Sequence, residues 1–164
     1  MNPTHPSAAS ILDELRDLPL CDEMESCSPG GLQALAPLGR IDKHATDEVL
    51  FHSGERNDGL RFVIHGRVAL YLCDPSGDDH TVGTASKGDL LGWSALRGPE
   101  ATWTVSARAT RGTRCLVFPG QAVRALCDQD RAFGYCLMRY AFECVAGRLK
   151  DARLQLLDVY GERR

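Results

Sequence analysis

A mainly β protein with flanking helices, an antiparallel jelly-roll β-barrel (double-stranded β-helix), is what this sequence predicts. Three observations carry that expectation. From Arg40 to Pro119 the chain runs in short apolar stretches broken by Gly, Asp and Ser turn clusters, the texture of antiparallel strands. Before Arg40 the apolar spacing is helical and interrupted by prolines. After Pro119 it becomes helical again and stays so almost to the end.

The elements follow in order. Ser10 opens a short helix, ILDELRDL, which Pro19 closes. A second short helix, GGLQALAPL, follows Ser28-Pro29 and stops at Gly39. EVLF is the first clear strand, and HSGERNDG is the turn after it. LRFVIHGRVALYL reads as two apolar runs hinged at His65-Gly66. TVGTAS and KGDLLG follow the turn CDPSGDDH, and WTVSARAT and TRCLVF meet at a tight turn at Arg111-Gly112. QAVRALC is a short helix. From Asp130 to Tyr160 a long helix carries two apolar stripes, Phe133, Leu137, Tyr140 and Cys144 on one, Met138, Ala141, Val145, Ala152 and Val159 on the other. One stripe covers the sheet. The second needs another surface, and a partner's helix is the simplest, so a homodimer through this helix is expected. The chain divides as 1–17, an extension with a short helix; 18–118, the β-barrel with its N-terminal helix; and 119–164, the short helix and the dimerisation helix.

Composition narrows the function classes. Of 164 residues 43% are hydrophobic and 25% charged, so a folded domain is expected, and a net charge of −3 argues against a general nucleic-acid binder. Neither a membrane-spanning run nor the pattern of a secretory leader is read in the sequence, so a cytoplasmic protein is expected. The seven cysteines are scattered, and reduced, mostly buried thiols are expected. G-x-S-x-G, H-E-x-x-H and a lysine-bearing phosphate loop are all missing, so the protein is read as a non-enzyme.

The stretches DEVLFHSGERNDGLRFVIHGRVALY, KGDLLGWSAL and TRCLVFPGQAVRALC together resemble the cyclic-nucleotide-binding domain of the Crp/Fnr regulators, over roughly Leu18 to Leu157. The resemblance implies that Gly92, Trp93, Ser94, Ala95 and Leu96 begin a phosphate-binding cassette. It also implies a glutamate directly after the cassette glycine, an arginine eleven residues beyond that glycine, and a hydroxyl residue after the arginine. Those places hold Trp93, Trp103 and Thr104. Both charged anchors for a cyclic phosphodiester are replaced by indoles, which argues against cAMP and cGMP.

Alternation also turns Trp103 inward, since Trp103, Val105, Ala107 and Ala109 share one face while Thr102, Thr104, Ser106 and Arg108 share the other. Two readings of the indoles stand. They line an aromatic pocket for a different small ligand or accompany a partner protein, or they fill the cavity of a ligand-free interaction scaffold. A third reading takes Cys21, Cys27 and Cys115 as part of an iron–sulfur or other redox site, as in some relatives. No cofactor is assigned. Relatives continue into a helix-turn-helix domain, and this chain ends at Arg164 without one, so direct binding to nucleic acid is not expected.

Overall fold

Two long strands, each bent near its middle, organise the computed structural model, which describes residues 6–161. β3 (Gly59–Cys73) and β6 (Ser106–Pro119) pair antiparallel from Gly59 opposite Pro119 to Tyr71 opposite Ser106. The register slips three times between Val63 and Val68, and such bulges bend and twist a strand pair. Gly66 sits there at φ +97°, where a Cβ would lie 2.6 Å from the Gly112 carbonyl oxygen. Only glycine fits that approach.

The bend divides the pair between two layers. On one side β1 (Arg40–His44) pairs with the end of β6 and β5 (Leu90–Leu91) with the start of β3. On the other side β2 (Val49–Phe51) pairs with the start of β6 and β4 (Asp79–Ala85) with the end of β3. The strand order β1-β6-β3-β4 does not return on itself, so the jelly roll is an open, folded-over sheet and not a hydrogen-bonded closed barrel. WTVSARAT and TRCLVF do not form a hairpin. Arg111 and Gly112 lie within β6, which bends opposite Gly66 and runs on.

Strand alternation separates two cores. Leu60, Phe62, Ile64, Leu116 and Phe118 face the helices, while Val63, Val68, Leu70, Cys115 and Val117 face the interior of the roll. The N-terminal helices build the outer core. α1 (Ala8–Arg16) is capped by Ser7, whose hydroxyl accepts from the Ser10 amide at 3.2 Å; the cap expected at Ser10 lies three residues earlier. Pro19 does not close a helix. It precedes α2 (Leu20–Cys27), which the sequence reading left out and which buries Leu20, Cys21 and Met24. α3 (Gly31–Leu35) continues into one 3-10 turn.

α4 (Gly120–Gln129) and α5 (Arg131–Gly161) are separated by Asp130 in an extended conformation. Its carboxylate accepts from the Phe133 amide at 3.0 Å and from the Ser28 hydroxyl at 2.9 Å, which caps α5 and holds the Asp130 carboxyl below its ordinary range. Phe133, Leu137 and Tyr140 are buried as expected, and the Tyr140 hydroxyl donates to the Gly88 carbonyl at 2.5 Å. Ala141 belongs with them in the intrachain core and not on the outer stripe. The side chain of Val159 lies outside the described residues. Among those residues, no helix is long and apolar enough to cross a membrane.

Five cysteines are unpaired. Cys27 of α2 and Cys136 of α5 are brought side by side, with Cα atoms 6.5 Å apart. Helix packing makes them neighbours across 109 residues of sequence, a distance at which no spacing signal exists.

Phe62 is fully buried between Phe118 and Tyr140, with ring centroids 6.0 and 6.1 Å away. Phe62→Ala is expected to cost about 3–5 kcal/mol in chemical denaturation; a loss below about 1 kcal/mol would contradict this packing.

A filled interior and a cleft at its mouth

The cassette is built around Gly92. Its φ is +79°, and a Cβ there would meet the Gly59 carbonyl oxygen at 2.3 Å and the Trp103 ring at 2.9 Å. Residues Trp93–Arg97 form a 3-10 turn, closed in part by the Ala95 amide donating to the Gly92 carbonyl at 2.9 Å. Asn57 fastens this turn to the sheet. Its buried side-chain amide donates to the Gly92 carbonyl at 2.9 Å and to the Ser94 hydroxyl at 2.8 Å, and its oxygen accepts from the Gly59 amide at 3.0 Å. Ser94 in turn donates to the Thr102 carbonyl at 3.1 Å. The Ser94 side chain is therefore a structural tie. Ala95 is buried, with its carbonyl accepting from Arg124 at 2.6 Å.

Trp103 occupies the interior. It precedes β6 rather than lying in it, yet its inward direction holds, because backbone bonds to Glu55 and Gly54 at 2.9 and 2.8 Å keep it strand-like. Its ring stacks on Phe51 with centroids 3.5 Å apart and planes 10° from parallel. The Arg61 guanidinium lies over both rings, 5.6 Å from Trp103 and 6.0 Å from Phe51. Arg61 is itself buried, bound to Asp42 and Asp58 at 3.3 Å each, and its Nε has no partner among the described residues. What remains open beneath the cassette is about 30 Å³, bordered by Gly92, Trp93, Ser94 and Trp103. That is room for a water molecule, far below the roughly 300–1,000 Å³ of small-molecule sites.

The two indoles go to different places. Trp93 is half-buried and packs on the outer core, as does Leu96, which does not reach the interior. Trp93 also lines a cleft of about 480 Å³ between β4 and α5, together with Val82, Thr104, Val105 and Arg148. Thr104 is exposed there. The expected site residues thus split between a closed interior and an open mouth.

Several residues escaped the sequence reading. Phe51 and Asn57 carried no signal beyond an apolar strand position and a polar turn. Arg61 alternates with core residues in β3, so its inward direction was legible, but its two acids were not. Arg148 reads as one of many arginines on a helix. Docking of α5 buries it partly at the cleft, where its Nη2 donates to the Leu90 carbonyl at 2.6 Å and desolvation lowers its pKa.

The redox reading finds its residues apart. Cys115 lies in the interior core, where burial pushes its thiol up to about 12, whereas Cys21 and Cys27 lie on α2 beneath the outer core. Among the described residues no three His, Cys, Asp or Glu side chains are grouped to hold a metal.

A bent antiparallel roll with a glycine-centred cassette and a long closing helix defines a regulatory or sensor module. Residues 42–130 match the model of the cyclic nucleotide-binding domain, and the chain belongs to that family. Its structure is similar to a Geobacter metallireducens GS-15 protein named for cyclic nucleotide binding, at 26% identity over 84% of this chain and 96% of that one, with a TM-score of 0.70. It is also similar to the sensor domain of the transcriptional regulator DNR from Pseudomonas aeruginosa (16% identity, 87% and 93% covered, TM-score 0.68). A third likeness is to the regulatory subunit of a cAMP-independent protein kinase A from Trypanosoma brucei (17% identity, 80% of this chain and 46% of that one, TM-score 0.65). This chain therefore spans under half the length of the kinase subunit. No curated protein matches the sequence.

Replacing Trp103 by Ala should leave a void under the cassette. The expected cost is about 3–5 kcal/mol in chemical denaturation, and an unchanged midpoint would show that the indole does not fill the interior.

Proposed function

We propose that this chain is a non-catalytic regulatory module that keeps the frame of a cyclic nucleotide sensor, does not respond to cAMP or cGMP, and acts as a homodimer through α5. The observation that carries this reading is the Trp103–Phe51 stack under Arg61, which leaves about 30 Å³ beneath the cassette. A cyclic phosphate entering there would have to displace a buried indole. The cation over those rings, Arg61, is already engaged by Asp42 and Asp58. Each charged hydrogen bond forgone costs roughly 1.5–3 kcal/mol of the affinity. The kinase relative described as cAMP-independent supports the view that this fold serves regulators outside cAMP signalling.

α5 supplies the output surface. Tyr135, Met138, Phe142, Leu149 and Leu156 are exposed, Val145 and Ala152 half-buried, and their spacing alternates three and four residues. That is a coiled-coil seam, and two-stranded pairing with a second copy would cover it. Val145, Leu149 and Ala152 also line the cleft at the mouth. A molecule or partner protein entering the cleft would therefore change how the two helices pack, which is a route from occupancy to output. The closed interior equally suits a ligand-free interaction scaffold, and occupancy of the cleft separates the two.

Calorimetric titration with cAMP and with cGMP up to millimolar concentration is expected to give no saturable heat. Micromolar binding of either would overturn the reading. Sedimentation equilibrium should find a dimer at tens of micromolar chain, and Phe142→Glu, at a side chain largely in solvent, should yield a folded monomer. A monomeric parent protein would remove the dimer from the proposal.

A further inference from the structure

Two thiols from distant parts of the chain meet where α2 packs against the start of α5. Cys27 is the last residue of α2, and Cys136 lies in the second turn of α5. Their Cα atoms are 6.5 Å apart, inside the roughly 4.4–6.8 Å that a disulfide spans. The contacts are reciprocal. The Cys27 Sγ lies 3.6 Å from the Ala132 carbonyl oxygen on α5, and the Cys136 Sγ lies 3.6 Å from the Glu23 carbonyl oxygen on α2. Each sulfur therefore sits against the backbone of the other's helix, and in the dithiol each S–H has an acceptor. The other five cysteines have no such partner among the described residues.

The packing that brings the thiols together does not depend on a bond between them. Leu20 and Met24 of α2 share a core with Phe133 and Leu137 of α5. The Arg139 guanidinium reaches the Glu23 carboxylate at 2.5 Å, and the Ser28 hydroxyl holds Asp130 just before α5. Opening a Cys27–Cys136 bond leaves these contacts in place, so the two sulfurs stay within reach and can rejoin. Access to them is unequal. Cys136 is fully buried, whereas Cys27 is partly exposed. An oxidant therefore meets Cys27 first, and Cys136 is the resolving thiol.

We propose that Cys27 and Cys136 are a reversible redox site that clamps α2 to α5, closed by a low-molecular-weight disulfide and reopened by a dithiol. In closing, the Cys27 thiolate attacks one sulfur of the oxidant, which forms a mixed disulfide and expels one thiolate. Cys136 then loses its proton and attacks the Cys27 sulfur, which forms the Cys27–Cys136 bond and expels the second thiolate. Two protein thiols are oxidised, one small disulfide is reduced, and the two thiol protons pass to the two released thiolates. The bond closes a loop across 109 residues, so it restricts the unfolded chain far more than the folded one. Neither cysteine borders the cavity beneath the cassette or the cleft at its mouth, so the clamp is independent of what the module binds.

Thiol counting and peptide mapping on the full chain test the clamp. The protein is equilibrated with oxidised glutathione or with dithiothreitol, quenched in acid, denatured and alkylated. The reduced sample should show all seven cysteines alkylated and the oxidised one five, with Cys27 and Cys136 in one cross-linked peptide. Oxidation should raise the melting temperature by about 5–15 °C. Dithiothreitol added to the folded, oxidised protein should restore the seven thiols and the lower melting temperature. Cys27→Ser and Cys136→Ser should each abolish the difference between the two conditions, and Cys127→Ser should keep it. The alkylation pattern of the parent needs no variant, so a poorly folding serine protein does not decide the matter. Seven free thiols after oxidised glutathione overturn the assignment. So does a cross-link between any other pair, a disulfide-linked dimer, or a bond that dithiothreitol does not reopen in the folded protein.

Discussion

The antiparallel pairing of β3 with β6 is the constraint on which the rest of the molecule depends. Because both strands bend at one place, a single pairing serves both layers, and the alternation of side chains then separates an interior from a helix-facing core. The bend requires Gly66, whose backbone passes so close to Gly112 and Thr113 that any Cβ would collide. One end of the same pair presents the Gly59 carbonyl against Gly92. The close approach that shapes the cassette is thus a consequence of where β3 begins.

Within that frame the interior is packed. Here the space is taken by two stacked rings and covered by a cation already neutralised by two acids. Burial of these rings adds cohesion to a small sheet. The opening beside the cassette lies further out, at the junction of β4 and α5.

That junction gives α5 three tasks on three faces. Phe133, Leu137 and Tyr140 hold it to the outer core, Arg148 faces the cleft, and the apolar row from Tyr135 to Leu156 is largely exposed. Val145, Leu149 and Ala152 belong to two of these faces at once, which ties the opening to the seam without any long path through the protein.

Local pattern by itself determined much of this protein. Turn residues and short apolar runs set out the roll, the change to a helical period marked α4 and α5, and alternation turned Trp103 inward, since these are properties of neighbours in the chain. The resemblance likewise implied charged anchors at the positions held by Trp93 and Trp103. Other features depend on distant pairings that no window reveals. α2 was missed because Pro19 reads as a stop although it also suits a helix start. Arg111-Gly112 reads as a turn until Gly66 is seen opposite. Phe51, the stacking partner, comes from another strand, and Arg148, 55 residues after Trp93, reaches the mouth only because α5 folds back across it. Tertiary structure decided that one tryptophan closes the interior while the other lines the cleft, because burial is set by the elements that converge on a residue and not by its own side chain.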